Sequence, residues 1–225
     1  MVVSGGPSIV DEGLLLHLDA ADKNSYPGTG STWYDISGNG NHCSLTNAAS
    51  YNTNNKGSFL RLIGCGLSNL EVTDITIEVA VNGLSGGGIA TKGYINSTEF
   101  GLSVGYSPSR IVARPYHFQG QLTYIPPTLS GSHFISYTAI SNGNSVLYYN
   151  GNAVASRSIG AVKFSGIYSG ATTNAGLDLE LGIHRYNASS GVNFGGRYYS
   201  FKLYNRALSA SEVWQNYNAT KGRFL

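Results

Sequence analysis

Tyr204-Asn205-Arg206-Ala207-Leu208-Ser209-Ala210-Ser211-Glu212-Val213-Trp214 joins the end of a strand to the start of a helix. Just upstream, Tyr199, Phe201 and Leu203 alternate with Ser200, Lys202 and Tyr204, the period-two pattern of a half-buried strand. Ser209 stands three residues before Glu212. That is capping-box spacing, in which the Ser hydroxyl and the Glu carboxylate each satisfy an orphan backbone N–H. Leu208 and Val213 are placed to act as the hydrophobic staple that sets how the chain enters the helix. The stretch predicts a strand over 197–204 and one capped helix closing a β domain.

Composition agrees. The 225 residues include 30 Gly and 16 Tyr, and only 12% are charged. Gly favours tight turns and Tyr favours pleated surfaces, and the length suits one large all-β domain. Fourteen basic against twelve acidic residues leave a net charge of +2, too little and too dispersed for a nucleic-acid footprint. No apolar run is long enough to span a bilayer. The start, Met1–Pro7, lacks the charged and apolar regions of a signal peptide, so the expectation is synthesis in the cytoplasm without membrane association. Cys43 and Cys65 are the two thiols. They read as small apolar fillers rather than a disulfide, and their spacing is not that of a zinc site.

Strand-like runs recur from Leu14 onward: Leu14–Leu18, Ser58–Ile63, Asp74–Val81, Glu99–Val104, His133–Ile140, Ser145–Tyr149, Asp178–Ile183 and Arg197–Tyr204. In Asp74–Val81, Ile75, Ile77 and Val79 share one face while Thr76 and Glu78 take the other. Asn150-Gly151, between two such runs, is a strong hairpin signal. Ser85-Gly86-Gly87-Gly88 reads as a loop, without the Lys-Ser/Thr that a phosphate-cradling loop needs. Trp33-Tyr34-Asp35-Ile36-Ser37-Gly38-Asn39-Gly40-Asn41 reads as a turn in which Asp35 and Ser37 bond nearby N–H groups. An alternative, Ca²⁺ held by Asp35, Asn39 and Asn41, lacks EF-hand spacing. Residues 1–12 read as an extended arm and 13–225 as one domain.

Together these segments resemble a known family. Ile9–Ala20, Ser25-Tyr26-Pro27-Gly28 and Trp33–Asn41 look like the start of a concanavalin A-like, LamG-like jelly-roll domain. Thr76-Ile77-Glu78-Val79 looks like its mid-domain strand, Tyr149-Asn150-Gly151 like its hairpin, and Tyr204–Val213 with Asn216–Lys221 like its closing segment. The wording is similar to domains in virion proteins of tailed phages, including cyanobacterial ones. The resemblance implies an all-β, two-sheet sandwich with one short C-terminal helix. Where the family often carries Phe-Asp-Gly followed by Asp-Asp, this chain has Arg61-Leu62-Ile63-Gly64-Cys65-Gly66, so no metal and no cofactor are expected.

Retaining glycoside hydrolysis needs two carboxylates about 5–5.5 Å apart. Asp178-Leu179-Glu180 supplies one pair, and Asp74 with Glu78 another, but neither fits the three-carboxylate strand of laminarinase-like enzymes. Solvated strand faces explain both pairs. His17, His117 and His184 have no Gly-x-Ser-x-Gly elbow to serve. The expectation is therefore a non-enzymatic virion structural protein, such as a capsid decoration, located in the virion and partnered by other virion proteins or further copies of itself. The alternative is a lectin-like module for host-surface glycans, and a glycoside hydrolase is a remote third. The lectin reading places the glycan on Arg114, Tyr116, His117, Arg185, Tyr186 and Asn187, since sugar sites pair an aromatic platform with a few placed polar groups.

Overall fold

The computed structural model describes residues 8–46, 50–53, 58–60, 63–65, 67, 70–93, 100–106, 109–115, 121–162, 164, 179–187 and 190–224. In chain order the strands begin with β1 Leu14–Asp19, β2 Thr32–Trp33, β3 Cys43–Leu45, β4 Ser50–Asn52, β5 Ser58–Leu60 and β6 Ile63–Cys65. There follow β7 Asp74–Asn82, β8 Gly87–Lys92, β9 Phe100–Tyr106, β10 Ser109–Arg114, β11 Leu122–Tyr124 and β12 Ser132–Ile140. The last are β13 Asn144–Tyr149, β14 Asn152–Ser158, β15 Leu179–Leu181, β16 Ile183–Arg185, β17 Gly191–Asn193 and β18 Arg197–Tyr204, and helix α1 spans Ala210–Phe224.

Two sheets face each other. The first runs β14-β13-β12-β7-β18-β5-β4, with β1 also paired to β18. The second runs β11-β10-β9-β8-β15-β6-β3-β2, with the β16–β17 hairpin attached to β8. Between them lie Ile75, Ile77, Val79 and Phe201 from one sheet and Leu102, Val104, Ile111 and Leu179 from the other, in one apolar cluster. Tyr198 bridges the layers, its buried hydroxyl donating to Ile89 O at 2.6 Å.

The closing segment folds as its residues dictate. Ser209 N–H donates to Glu212 Oε2 at 2.8 Å, and Glu212 N–H donates to Ser209 Oγ at 3.3 Å. Arg206 grips the same carboxylate with Nη1 and Nη2 at 3.1 and 2.6 Å. That grip, with the Ser209 bonds, holds the Glu212 carboxyl down at about 2. Leu208 and Val213 share a buried cluster with Tyr204, and Asn150 and Gly151 turn the β13–β14 hairpin with φ of 49° and 79°, as a type I′ turn requires.

Three expectations need correction. Ser58–Ile63 is not one strand: β5 joins the first sheet and β6 the second. Asp178–Ile183 likewise divides at Gly182, whose φ of +92° ends β15 before β16 begins. Cys43 and Cys65 are disulfide-bonded rather than free. They stand directly opposite on β3 and β6, a register that their separation of 22 residues does not reveal.

Glu78 is a further departure, for its face of β7 is not solvated. The helix lies over the outer face of the first sheet, and Glu78 is 1% exposed beneath it. Its Oε1 accepts Ser136 Oγ–H at 3.1 Å and its Oε2 accepts Asn216 Nδ2–H at 2.7 Å. Lys202 Nζ, also buried, stands 3.9 Å from Oε2. Asn216 Oδ1 accepts Val10 N–H at 2.8 Å, and Tyr204 OH donates to Val10 O at 3.0 Å. Residues 8–12 are thereby docked on the chain's own helix. At its far end Phe224 stacks on Tyr199, with centroids 4.7 Å apart, which packs the end of the helix onto the first sheet.

Two outcomes follow from this packing. Reducing the disulfide, or replacing both cysteines by Ala, should lower unfolding free energy by about 3 kcal/mol for a loop of this size, read by denaturant titration with and without reductant. Glu78→Gln should cost about 3–5 kcal/mol by stranding a buried ammonium, whereas Glu78→Leu combined with Lys202→Met should cost much less.

Candidate functional site

With α1 over the first sheet, the outer face of the second is the one the helix leaves uncovered. Ile111 and Ala113 of β10 point into the core, so Arg110, Val112 and Arg114 take the opposite face. In register across β9 stand Gly105, Ser103 and Gly101. The row continues from Gly101 to Thr91 on β8 and from Thr91 to Glu180 on β15. Arg114 and Glu180 thus share a face three strands apart, a span of about 14 Å.

Glycine on β9 makes room for the arginines. A Cβ at Gly105 would stand 3.4 Å from Arg110 Cγ and 3.6 Å from its Nε, so the Arg110 stem lies across this position. Arg114 leans the same way, its Nη1 donating to the buried Ser103 Oγ at 2.9 Å.

The β16–β17 hairpin is seated against β8. The expected loop at Ser85–Gly88 is half strand, because Gly87 and Gly88 open β8 where another backbone presses close. A Cβ at Gly88 would meet Ile183 O at 2.2 Å, and one at Gly87 would meet Asn193 C at 2.4 Å. Thr91 Oγ1 donates to Ile183 O at 2.7 Å. Arg185 clasps Glu180 through Nε and Nη2, each at 2.6 Å. At the hairpin tip the Tyr186 and Asn187 N–H groups donate to Ser190 O at 2.9 and 3.3 Å, and Ser190 N–H donates to Asn187 Oδ1 at 2.9 Å. The turn is closed by these bonds and leaves Tyr186 50% exposed.

Of the six residues predicted to hold a glycan, the structure sets Arg114 on this face and Arg185, Tyr186 and Asn187 on the hairpin clasped to it. Tyr116 and His117 lie outside the described residues. Missing from the sequence reading were Arg110, Ser103, Thr91 and the binding partner of Arg185, Glu180. For the arginines a signal existed: Arg110-Ile111-Val112-Ala113-Arg114 alternates, so both fall on one strand face.

Other candidates are committed elsewhere. Asp35 Oδ1 accepts the His17 and Ser37 N–H groups, both at 2.9 Å, and Oδ2 accepts Ser37 Oγ–H at 2.8 Å and Asn41 N–H at 3.0 Å. Four donors on one carboxylate make this the expected turn. Among the described residues no three His, Cys, Asp or Glu side chains are grouped to hold a metal ion. Glu78 is sealed under the helix, and Asp74 accepts Ser141 N–H at 2.9 Å. Asp178 lies outside the described residues. Burial, helped by the nearby Lys202 charge, pushes His17 down to about 3. A cavity of about 400 Å³ beside Leu15, Leu67, Leu70, Glu71 and Val72 has no aromatic platform among its described lining residues.

No protein-family model matches the chain, and no curated protein does. Solved structures do. Domain 4 of AbnA, a GH43 extracellular arabinanase from Geobacillus stearothermophilus solved with arabinotriose, is 15% identical with a TM-score of 0.63, covering 90% of this chain and 97% of that one. Trypanosoma rangeli sialidase with the inhibitor DANA gives 15% identity and a TM-score of 0.67 over 100% of this chain and 36% of that one. Botulinum neurotoxin type C, whose cell entry depends on interaction with two ganglioside molecules, gives 13% identity and 0.64 over 93% and 52%. The fold is a concanavalin A-like jelly-roll sandwich. This chain therefore spans about a third of the sialidase and about half of the neurotoxin structure, and nearly all of the arabinanase domain. At such identities the likeness is one of fold, and it supplies no link to phage virions.

The seat of the hairpin gives a direct test. Gly88→Ala forces a methyl group into the Ile183 carbonyl and should cost on the order of 1–3 kcal/mol. Hydrogen exchange should localise the loosening to the amides of residues 182–194.

Proposed function

We propose that this domain is a non-catalytic carbohydrate-binding module that takes its ligand on the outer face of the second sheet, between the β10 arginines and the β16–β17 hairpin. The observation that carries this reading is the half-exposed Tyr186 ring on a turn fixed by its own hydrogen bonds and anchored to the second sheet through Arg185–Glu180. With the backbone beneath the ring held before the ligand arrives, only the ring's own torsions remain to be fixed on stacking, and nearby polar groups fix the sugar's orientation. A solved neighbour of nearly matching length, crystallised with arabinotriose, and another tied to gangliosides support the same reading.

Glu180 serves here as an anchor and not as an acid, because Arg185 occupies both of its oxygens. The resemblance at both ends of the chain suggests a setting as well: carried on a phage particle, such a module would adhere to host-surface glycans.

On a glycan array the domain should bind a restricted set of saccharides, and Tyr186→Ala should weaken the best of them about tenfold with unchanged melting. Uniform silence across the array would overturn the reading. So would release of reducing sugar that Glu180→Gln abolishes.

A further inference from the structure

Arg110 has no role in the fold that its contacts explain. Its side chain crosses β9 over Gly105, and its Nε is buried without a hydrogen-bond acceptor among the described residues. A guanidinium carries five donors in a planar fork and stays charged, and burying one of its N–H groups unsatisfied is unfavourable. Arg110 as a whole is only half-buried, which leaves the rest of the guanidinium open to a partner that arrives later.

Arg114 adds to this. It begins four residues along β10, yet leans back to Ser103, the β9 residue two before Gly105. The positions over which the two side chains lie are therefore about 7 Å apart along one strand, the reach of one sugar ring with its substituents. The strand beneath offers Gly101, Ser103 and Gly105 on this face, with one hydroxyl and no bulky side chain. Across the face the Glu180 carboxylate is already clasped by Arg185.

We propose that Arg110 is the anion-recognition residue of the glycan site, with Arg114 beside it, and that the ligand is an acidic saccharide bearing a carboxylate. The planar end of Arg110 meets both carboxylate oxygens through its two terminal nitrogens, while Arg114 holds a neighbouring ring oxygen. This rests on the carbohydrate-binding reading and specifies its substrate class. The carboxylate could belong to a hexuronate or to a sialate, and the chemistry at Arg110 is the same for either.

Calorimetry with the whole chain separates the possibilities. The titrants are oligogalacturonate, its methyl ester, sialyllactose and lactose, with the Tyr186→Ala variant as a control for the module. At least one acid should bind at least tenfold more tightly than its neutral counterpart, and which acid wins identifies the source of the carboxylate. Arg110→Gln should weaken that acid by about 10- to 100-fold and weaken its neutral counterpart far less. Arg110→Lys should recover only part, because an ammonium lacks the fork. Melting of Arg110→Gln should match the parent, as the side chain holds nothing in the free protein. Equal affinity for acid and neutral forms, lost in Tyr186→Ala but not in Arg110→Gln, would overturn the acidic ligand and keep the module. Absence of binding to all four, joined to silence on the array, would overturn both.

Discussion

The Glu78 carboxylate, buried under the C-terminal helix, is the contact on which the arrangement of this protein depends. Ser136 and Asn216 each donate to it and Lys202 faces it, so strands β12, β7 and β18 and helix α1 meet at one group. Burial alone pushes the Glu78 carboxyl up and the Lys202 ammonium down, and each charge opposes the shift of the other. Such a pair adds little net stability compared with well-packed apolar residues, but removing one member leaves the other uncompensated. Its consequence is positional. Asn216 must sit over β7, and with it the helix is fixed across the first sheet. The N-terminal residues are drawn in through Val10.

The two outer faces are consequently built in opposite ways. On the first sheet large side chains meet the helix, as Tyr199 meets Phe224 and Phe134 meets Tyr217. The second sheet carries glycine where other groups press close, and the missing side chains make room for them. Gly87 and Gly88 admit the β16–β17 backbone, while Gly105 admits the Arg110 stem. One hairpin and two arginines thereby stand on a sheet that remains continuous beneath them.

Structures with this sandwich at 13–15% identity belong to proteins as different as an arabinanase, a sialidase and a neurotoxin. A fold shared that widely carries no single function; function resides in the residues that each chain places on it. Here those residues point to polar recognition beside an exposed ring. Among the described acidic candidates for hydrolysis, Glu180 is held by Arg185, Glu78 by the helix contacts and Asp74 by the Ser141 amide.

Local patterns were legible in the amino-acid order. Alternation from Tyr199 to Tyr204, the Ser209–Glu212 box, Asn150-Gly151 and the Asp35 turn all involve residues within a few positions of each other, where backbone geometry leaves few choices. Arg114 and Tyr186 were also recognisable as candidates from residue type. What the chain order could not express was which distant segments meet. The division of Ser58–Ile63 between two sheets, the Cys43–Cys65 bond and the burial of Glu78 beneath a helix more than 130 residues later each depend on long-range register. Arg110 over Gly105 depends on which face of β10 looks inward. By itself the sequence determined the strands, turns and helix cap, because those follow from local sterics and hydrogen bonding. Only the tertiary structure decided which sheet face the helix covers and where the β16–β17 hairpin is seated, because those choices follow from packing between segments that the chain keeps far apart.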